Sequence, residues 1–127
     1  MPGPTAEPGP ARLKLKAQIL SGDEIAFGPG KADLLEAIAA QGSISGAARA
    51  MGLSYRRAWL MVDAMNRLFA RPLVATSRGG PGGAALTPEG CETLAAYQAL
   101  SATLAEAAAR PGAARRMICP RANSVSM

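Results

Sequence analysis

The chain contains no histidine. That removes Ser-His-Asp triads, histidine-based metal centres and imidazole acid–base chemistry from within these 127 residues. Cysteine is nearly as scarce. Cys91 and Cys119 are far apart and form no CxxC pair, so neither a zinc knuckle nor a structural disulfide is expected. Cys91 falls on the apolar face of an expected helix and reads as a small buried hydrophobe; Cys119 reads as a free thiol in a tail. No segment reaches the ~18 consecutive apolar residues of a membrane span. Residues 1–11 lack the apolar centre of a signal peptide. With no nucleophile–base set, no metal cluster and no cofactor motif, the expectation is a cytoplasmic protein that is not an enzyme and makes no use of a membrane.

Charge is unevenly placed. Lys plus Arg number 14 against 9 Asp plus Glu, a net +5. From Ser43 to Gly83 there are six basic residues (Arg49, Arg56, Arg57, Arg67, Arg71, Arg78) and one acid, Asp63. From Thr87 to Ala109 there are three acids, Glu89, Glu92 and Glu106, and no base. A basic stretch beside an acidic one fits a nucleic-acid face next to a different surface, although composition alone is equally compatible with a solvated charged face.

The chain has room for one domain. Residues 1–11 hold four prolines and two glycines and read as a disordered leader. Residues 12–110 read as the folded domain. Residues 111–127, with Arg115, Arg116, Arg121 and no acid, read as a flexible basic tail. Arg12–Leu20 alternates apolar and polar, the pattern of a half-buried strand. Ser21-Gly22-Asp23 is a turn signal and Glu24–Phe27 can return as its hairpin partner. A helix is expected from about Pro29 to Gln41, closed by Gly42. A second starts near Ser45 as candidate N-cap and ends near Met51, its Ala47 and Ala48 small enough for close approach by another helix. Gly52 supplies a tight turn. A third helix runs from about Ser54 to Phe69 with Ala58, Val62, Met65 and Phe69 as core stripe. Leu73–Ser77 and Ala84–Leu86 read as strands around the glycine-rich tip Gly79-Gly80-Pro81-Gly82-Gly83. Thr87-Pro88-Glu89 opens a last, long helix: Thr87 caps, Pro88 takes the first position and Glu89 favours the positive end.

This order is helix-turn-helix plus wing, mainly α with small β hairpins. A recognition helix presents polar side chains from its first turn, because that end enters the major groove. Ser54, Tyr55, Arg56 and Arg57 hold those positions. Arginine pairs in a bidentate manner with guanine, and serine and tyrosine bind phosphate or a base edge. Arg78, Gly79 and Gly80 would bring the wing to the backbone or minor groove, and Arg49 would touch phosphate. The GGPGG run lacks the Lys-Ser/Thr ending of a nucleotide phosphate loop. Trp59 reads as core or interhelical packing rather than as a base-stacking residue. On the last helix, Leu94, Tyr97, Leu100 and Leu104 form a stripe long for the edge of a small domain. It points to a dimer with a second copy, with intrachain packing as the alternative.

The segments LEAIAAQGSISGAARAMGLSYRRAW, PLVATSRGG and LTPEG resemble the N-terminal winged-helix domain of the ModE family of molybdate-responsive transcriptional regulators. More distantly they are similar to the LysR-type DNA-binding domain. The resemblance covers about Leu13 to Leu104. It implies a homodimeric regulator of double-stranded DNA, with base readout on Ser54, Tyr55, Arg56 and Arg57, and wing contacts on Arg78, Gly79 and Gly80. It also implies a long C-terminal dimerisation helix. Pro81 stands where family wings often carry a basic residue, which implies weaker or stiffer wing contacts. Full-length members add molybdate-binding domains; the expectation here is a regulator without one, with no small-molecule effector assigned. The alternative use of such a fold is a winged-helix module for binding another protein.

Overall fold

The computed structural model describes residues 12–77 and 83–112. The leader 1–11, the wing-tip residues Arg78, Gly79 and Gly80 with the two that follow, and the tail from 113 lie outside the described residues. The chain divides into two compact units, Lys16–Ser101 and the pair Met1–Leu15 with Ala102–Met127. The elements run β1 (Ile19–Ser21), β2 (Glu24–Phe27), α1 (Pro29–Gln41), α2 (Ile44–Met51), α3 (Tyr55–Leu68), β3 (Val74–Thr76), β4 (Ala84–Leu86) and α4 (Pro88–Ala108). Among the described residues these are four helices and two antiparallel hairpins, the winged helix-turn-helix class expected from the sequence.

β1 and β2 pair as Ile19–Phe27, Leu20–Ile25 and Ser21–Glu24, with an irregularity after Ile19. The expected strand over Arg12–Leu20 is therefore mostly not a strand. β2 is only four residues long, so, among the described residues, residues 12–18 pair with no strand, and alternation without a partner makes no ladder. All three β1 residues are exposed, contrary to the half-buried reading.

Helix boundaries follow from capping. Pro29 opens α1, and its missing N–H costs nothing in the first turn. Gly42 ends it at φ 75°, a left-handed conformation that favours glycine. The cap of α2 is Ser43 rather than Ser45: the Ser43 hydroxyl accepts from the Gly46 amide at 2.9 Å. Ser43 has the extended backbone an N-cap requires, and Ser45 already lies inside the helix. In α4 the Thr87 hydroxyl accepts from the Gly90 amide at 3.0 Å and donates to the Pro72 carbonyl at 2.7 Å. One side chain thus caps α4 and ties it to the entry of β3.

The core of the Lys16–Ser101 unit is aliphatic with an aromatic corner. Leu34, Leu35, Ile38, Ile44, Val62, Met65 and Leu73 are essentially inaccessible to solvent. Ala47, Ala48 and Ala58 are buried too; their small side chains let α1, α2 and α3 pack closely. Phe27 meets Phe69 and Tyr97 edge to face, at centroid distances of 6.0 and 5.1 Å. Tyr97 also donates its phenol hydrogen to the Ala17 carbonyl at 2.7 Å.

Candidate nucleic-acid interface

The turn between α2 and α3 sets the orientation of the recognition helix. Gly52 takes φ 70° and ψ 26°, and its amide bonds back to Ala48 and Arg49. The Leu53 amide reaches the Ala48 carbonyl at 2.9 Å. These bonds close α2 in a left-handed glycine cap, while Leu53 packs against the core. Ser54 then starts α3, its hydroxyl accepting from the Arg57 amide at 3.0 Å. That leaves the Tyr55 and Arg56 amides at the helix end without carbonyl partners in the helix, a ready pair of donors for phosphate.

Ser54, Tyr55, Arg56 and Arg57 are all exposed, whereas Ala58, Val62 and Met65 turn inward. The structure therefore brings these four sequence-expected residues together on one helix end. Arg49 is exposed in the last turn of α2. Among the described residues, Arg49, Arg56 and Arg57 form no ion pair, whereas Arg67 and Arg71 do. Arg67 lies 3.0 Å from Glu24 and 3.9 Å from Asp63. The hydrogen bond and charge of Glu24 raise the Arg67 pKa above its ordinary value. Arg71 lies 3.1 Å from Glu89. The Glu89 carboxyl is held below its ordinary pKa, first by its own backbone N–H at the start of α4 and then by Arg71. The six basic residues counted in the sequence are thus not one patch. Two brace the fold, three present free charge, and Arg78 falls outside the described residues with Gly79 and Gly80.

Several readings need correction. Trp59 is not core: it is 37 % exposed on α3, edge to face with Tyr55 at 6.2 Å. Its position one turn after Tyr55 carries both rings to the flank of the buried stripe. Cys91 is exposed, because the inward face of α4 runs through Gly90, Leu94 and Tyr97 instead. Leu94 and Tyr97, expected at a dimer contact, are 9 % and 7 % exposed within the chain's own core. The Phe27–Tyr97 contact explains the burial of Tyr97, and Leu94 joins the same buried cluster. Leu100 is 45 % exposed; Leu104, in the other unit, is half-buried.

Sequence reasoning missed Asn66. Its side-chain oxygen accepts from the Leu73 and Val74 amides at 2.9 and 3.1 Å, and its amide donates to the Val74 carbonyl at 3.0 Å. This clamp fixes the start of the wing hairpin to the recognition helix. A polar residue on the flank of an apolar stripe, just before a strand that needs a backbone partner, was the available signal. The other side of the wing is held by the Ala84 amide on the Gly42 carbonyl at 2.9 Å. β3 and β4 pair as Val74–Leu86, Ala75–Ala85 and Thr76–Ala84.

Among the described residues no group of His, Cys, Asp and Glu side chains could hold a metal ion, and no helix is long and apolar enough to cross a membrane. Residues 31–91 match the family of bacterial regulatory helix-turn-helix proteins, lysR family. The chain is 51 % identical over 82 residues to the molybdenum-pterin-binding protein MopB of Rhodobacter capsulatus, covering 63 % of this chain and 30 % of that protein. It is 48 % identical over 69 residues to the molybdenum transport protein ModE of Azotobacter vinelandii, covering 53 % and 26 %. Identity to the DNA-binding transcriptional dual regulator ModE of Escherichia coli (strain K12) is 40 % over 75 residues, covering 58 % and 29 %. The chain thus spans less than a third of the length of these relatives. They bear out the resemblance to ModE-type regulators, and residues 31–91 are similar to the regulatory helix-turn-helix domain of the lysR family.

Proposed function

We propose that the protein is a sequence-specific DNA-binding transcriptional regulator that inserts the first turns of α3 into the major groove. The observation that carries this is the Ser54-capped end of α3, where Tyr55, Arg56 and Arg57 are exposed together behind the Gly52 turn. Arg56 reads a base, the free helix amides and Arg49 take phosphate, and Arg57, about 100° around the helix from Arg56, serves either role. Arg78, Gly79 and Gly80 bring the wing to the backbone. The regulator works in the cytoplasm. Because the names of the relatives concern molybdenum, genes of molybdenum handling are the first place to seek its operator.

The regulator acts as a homodimer. Exposed apolar side chains on the first hairpin and α4, Leu20 and Leu100 among them, support a second copy as their cover. A dimer would set its two recognition helices one duplex turn, ~34 Å, or a multiple apart on a two-fold site. Sedimentation at micromolar concentration tests this; a monomer that stays monomeric on DNA refutes it. The function itself is tested by selecting bound duplexes from a random pool and titrating the winner at several salt concentrations. The chain's single tryptophan is Trp59 on α3, so its emission reports the approach of DNA directly. Enrichment of one motif, a salt-dependent affinity and a change in Trp59 emission are expected. No enrichment and a flat salt response would leave the fold serving a protein partner instead.

A further inference from the structure

Leu60 has no place in the core. It is 58 % exposed and does not join the buried cluster or the partly buried residues packed on it. A lone exposed leucine is ordinary on a protein surface; its position is what carries meaning here. Helix geometry puts residue 60 about 40° around and ~6 Å along the axis from residue 56. Residues 63 and 67 continue the same line, so Arg56, Leu60, Asp63 and Arg67 form one outward stripe, opposite Ala58, Val62 and Met65. The far end of that stripe is closed to DNA: Asp63 repels phosphate, and Arg67 is held by Glu24 and Asp63. The near end offers a free arginine and then a bare isobutyl group.

The major-groove edge of a base pair carries one apolar group, the 5-methyl of thymine. We propose that Leu60 is a specificity-determining residue that packs on a thymine methyl, about two base pairs from the base read by Arg56, given ~6 Å along the helix against ~3.4 Å per base step. The inference rests on the DNA-binding reading above and extends it by one named base contact. Two turns of α3 would then read sequence, the first by hydrogen bonds and the second by shape and apolar contact. The acid at Asp63 marks where readout stops.

The test uses the full chain and a duplex selected from a random pool, with each thymine replaced in turn by deoxyuridine, which lacks only the methyl. One replacement should weaken wild-type binding by about fourfold, the equivalent of one buried methyl group. With Leu60→Ala and Leu60→Gln the same replacement should change affinity by less than about 1.5-fold, with helix content by circular dichroism unchanged. If no thymine in the wild-type site is methyl-sensitive, the proposal is wrong whether or not the variants fold. It is also wrong if a sensitive thymine keeps its full effect in both folded variants. If no duplex is enriched at all, the DNA-binding reading falls and this inference falls with it; a normal duplex site without the methyl effect overturns Leu60 alone.

Discussion

Replacing Asn66 by alanine should loosen the joint between recognition helix and wing. Asn66 makes three hydrogen bonds to the backbone of Leu73 and Val74, both of which are buried. A typical hydrogen bond contributes ~1 kcal/mol net, and a buried amide or carbonyl left unpaired costs ~1–3 kcal/mol. The Leu73 carbonyl is already bonded to the Thr87 amide at 3.0 Å, so the exposed losses are the two amides and the Val74 carbonyl. Against this, alanine is the better helix former by up to ~0.7 kcal/mol. Loss outweighs gain, and the net destabilisation should be about 2–4 kcal/mol.

For a domain of this size that lowers the melting temperature by roughly 10–25 °C. Asn66→Asp separates the contributions. It keeps the acceptor for both amides but loses the donor and turns a carboxylate oxygen toward the Val74 carbonyl, so it should also destabilise. Urea unfolding followed by circular dichroism, with a slope shared by all three proteins, gives the comparison. A loss below about 1 kcal/mol for Asn66→Ala would mean that water satisfies the freed groups, and the clamp would not be what holds the wing.

The other expectations are sharper in sign than in size. Gly90→Ala should destabilise by at least the upper end of the ~1–3 kcal/mol of core overpacking, since a Cβ there would lie 2.1 Å from the Leu73 carbonyl oxygen; a melting temperature equal to wild type would show that α4 shifts freely. Arg56→Ala should weaken the preferred duplex more than random DNA by ~1–3 kcal/mol, whereas Arg78→Ala should weaken both alike and reduce the log–log salt slope by about one; an unchanged ratio for Arg56→Ala would pass base readout to Tyr55 or Arg57. Glu89 has a depressed folded-state pKa, so its contribution is present at neutral pH and lost as pH falls from the ordinary carboxylate range through the lowered value. Glu89→Gln should therefore be less stable than wild type at pH 7 and lose that difference in acid; a gap that persists at acid pH would refute the linkage.

The helices were legible because their signals are local. Pro29, Gly42, Gly52 and the Thr87-Pro88-Glu89 opening each act within a turn, and α1 and α4 begin where these residues place them. Two of the misplaced features needed distant partners. The alternation of Arg12–Leu20 describes a strand only where β2 is long enough to pair with it. The stripe on α4 is real, but Phe27, more than sixty residues earlier, takes up Tyr97; sequence spacing marks an apolar face without naming what covers it.

Charge shows the same limit and explains the site. In the sequence, Arg56, Arg57, Arg67 and Arg71 look equivalent, and three of the four lie on α3. The fold separates them by what lies opposite. Glu24 comes from the first hairpin and Glu89 from α4, so the arginines facing those elements become braces. The capped end of α3 faces neither acid, so its positive charge and open amides remain for a ligand. Asp63 and Leu60 then divide the outward stripe: free cation, apolar group, acid. A helix serving only as a positively charged surface would have no use for that order, since phosphate attraction is indifferent to where along a helix the charge ends. A helix reading bases would have a use for it, because each turn meets a different base edge and only the first two turns are free of the Glu24–Arg67–Asp63 network.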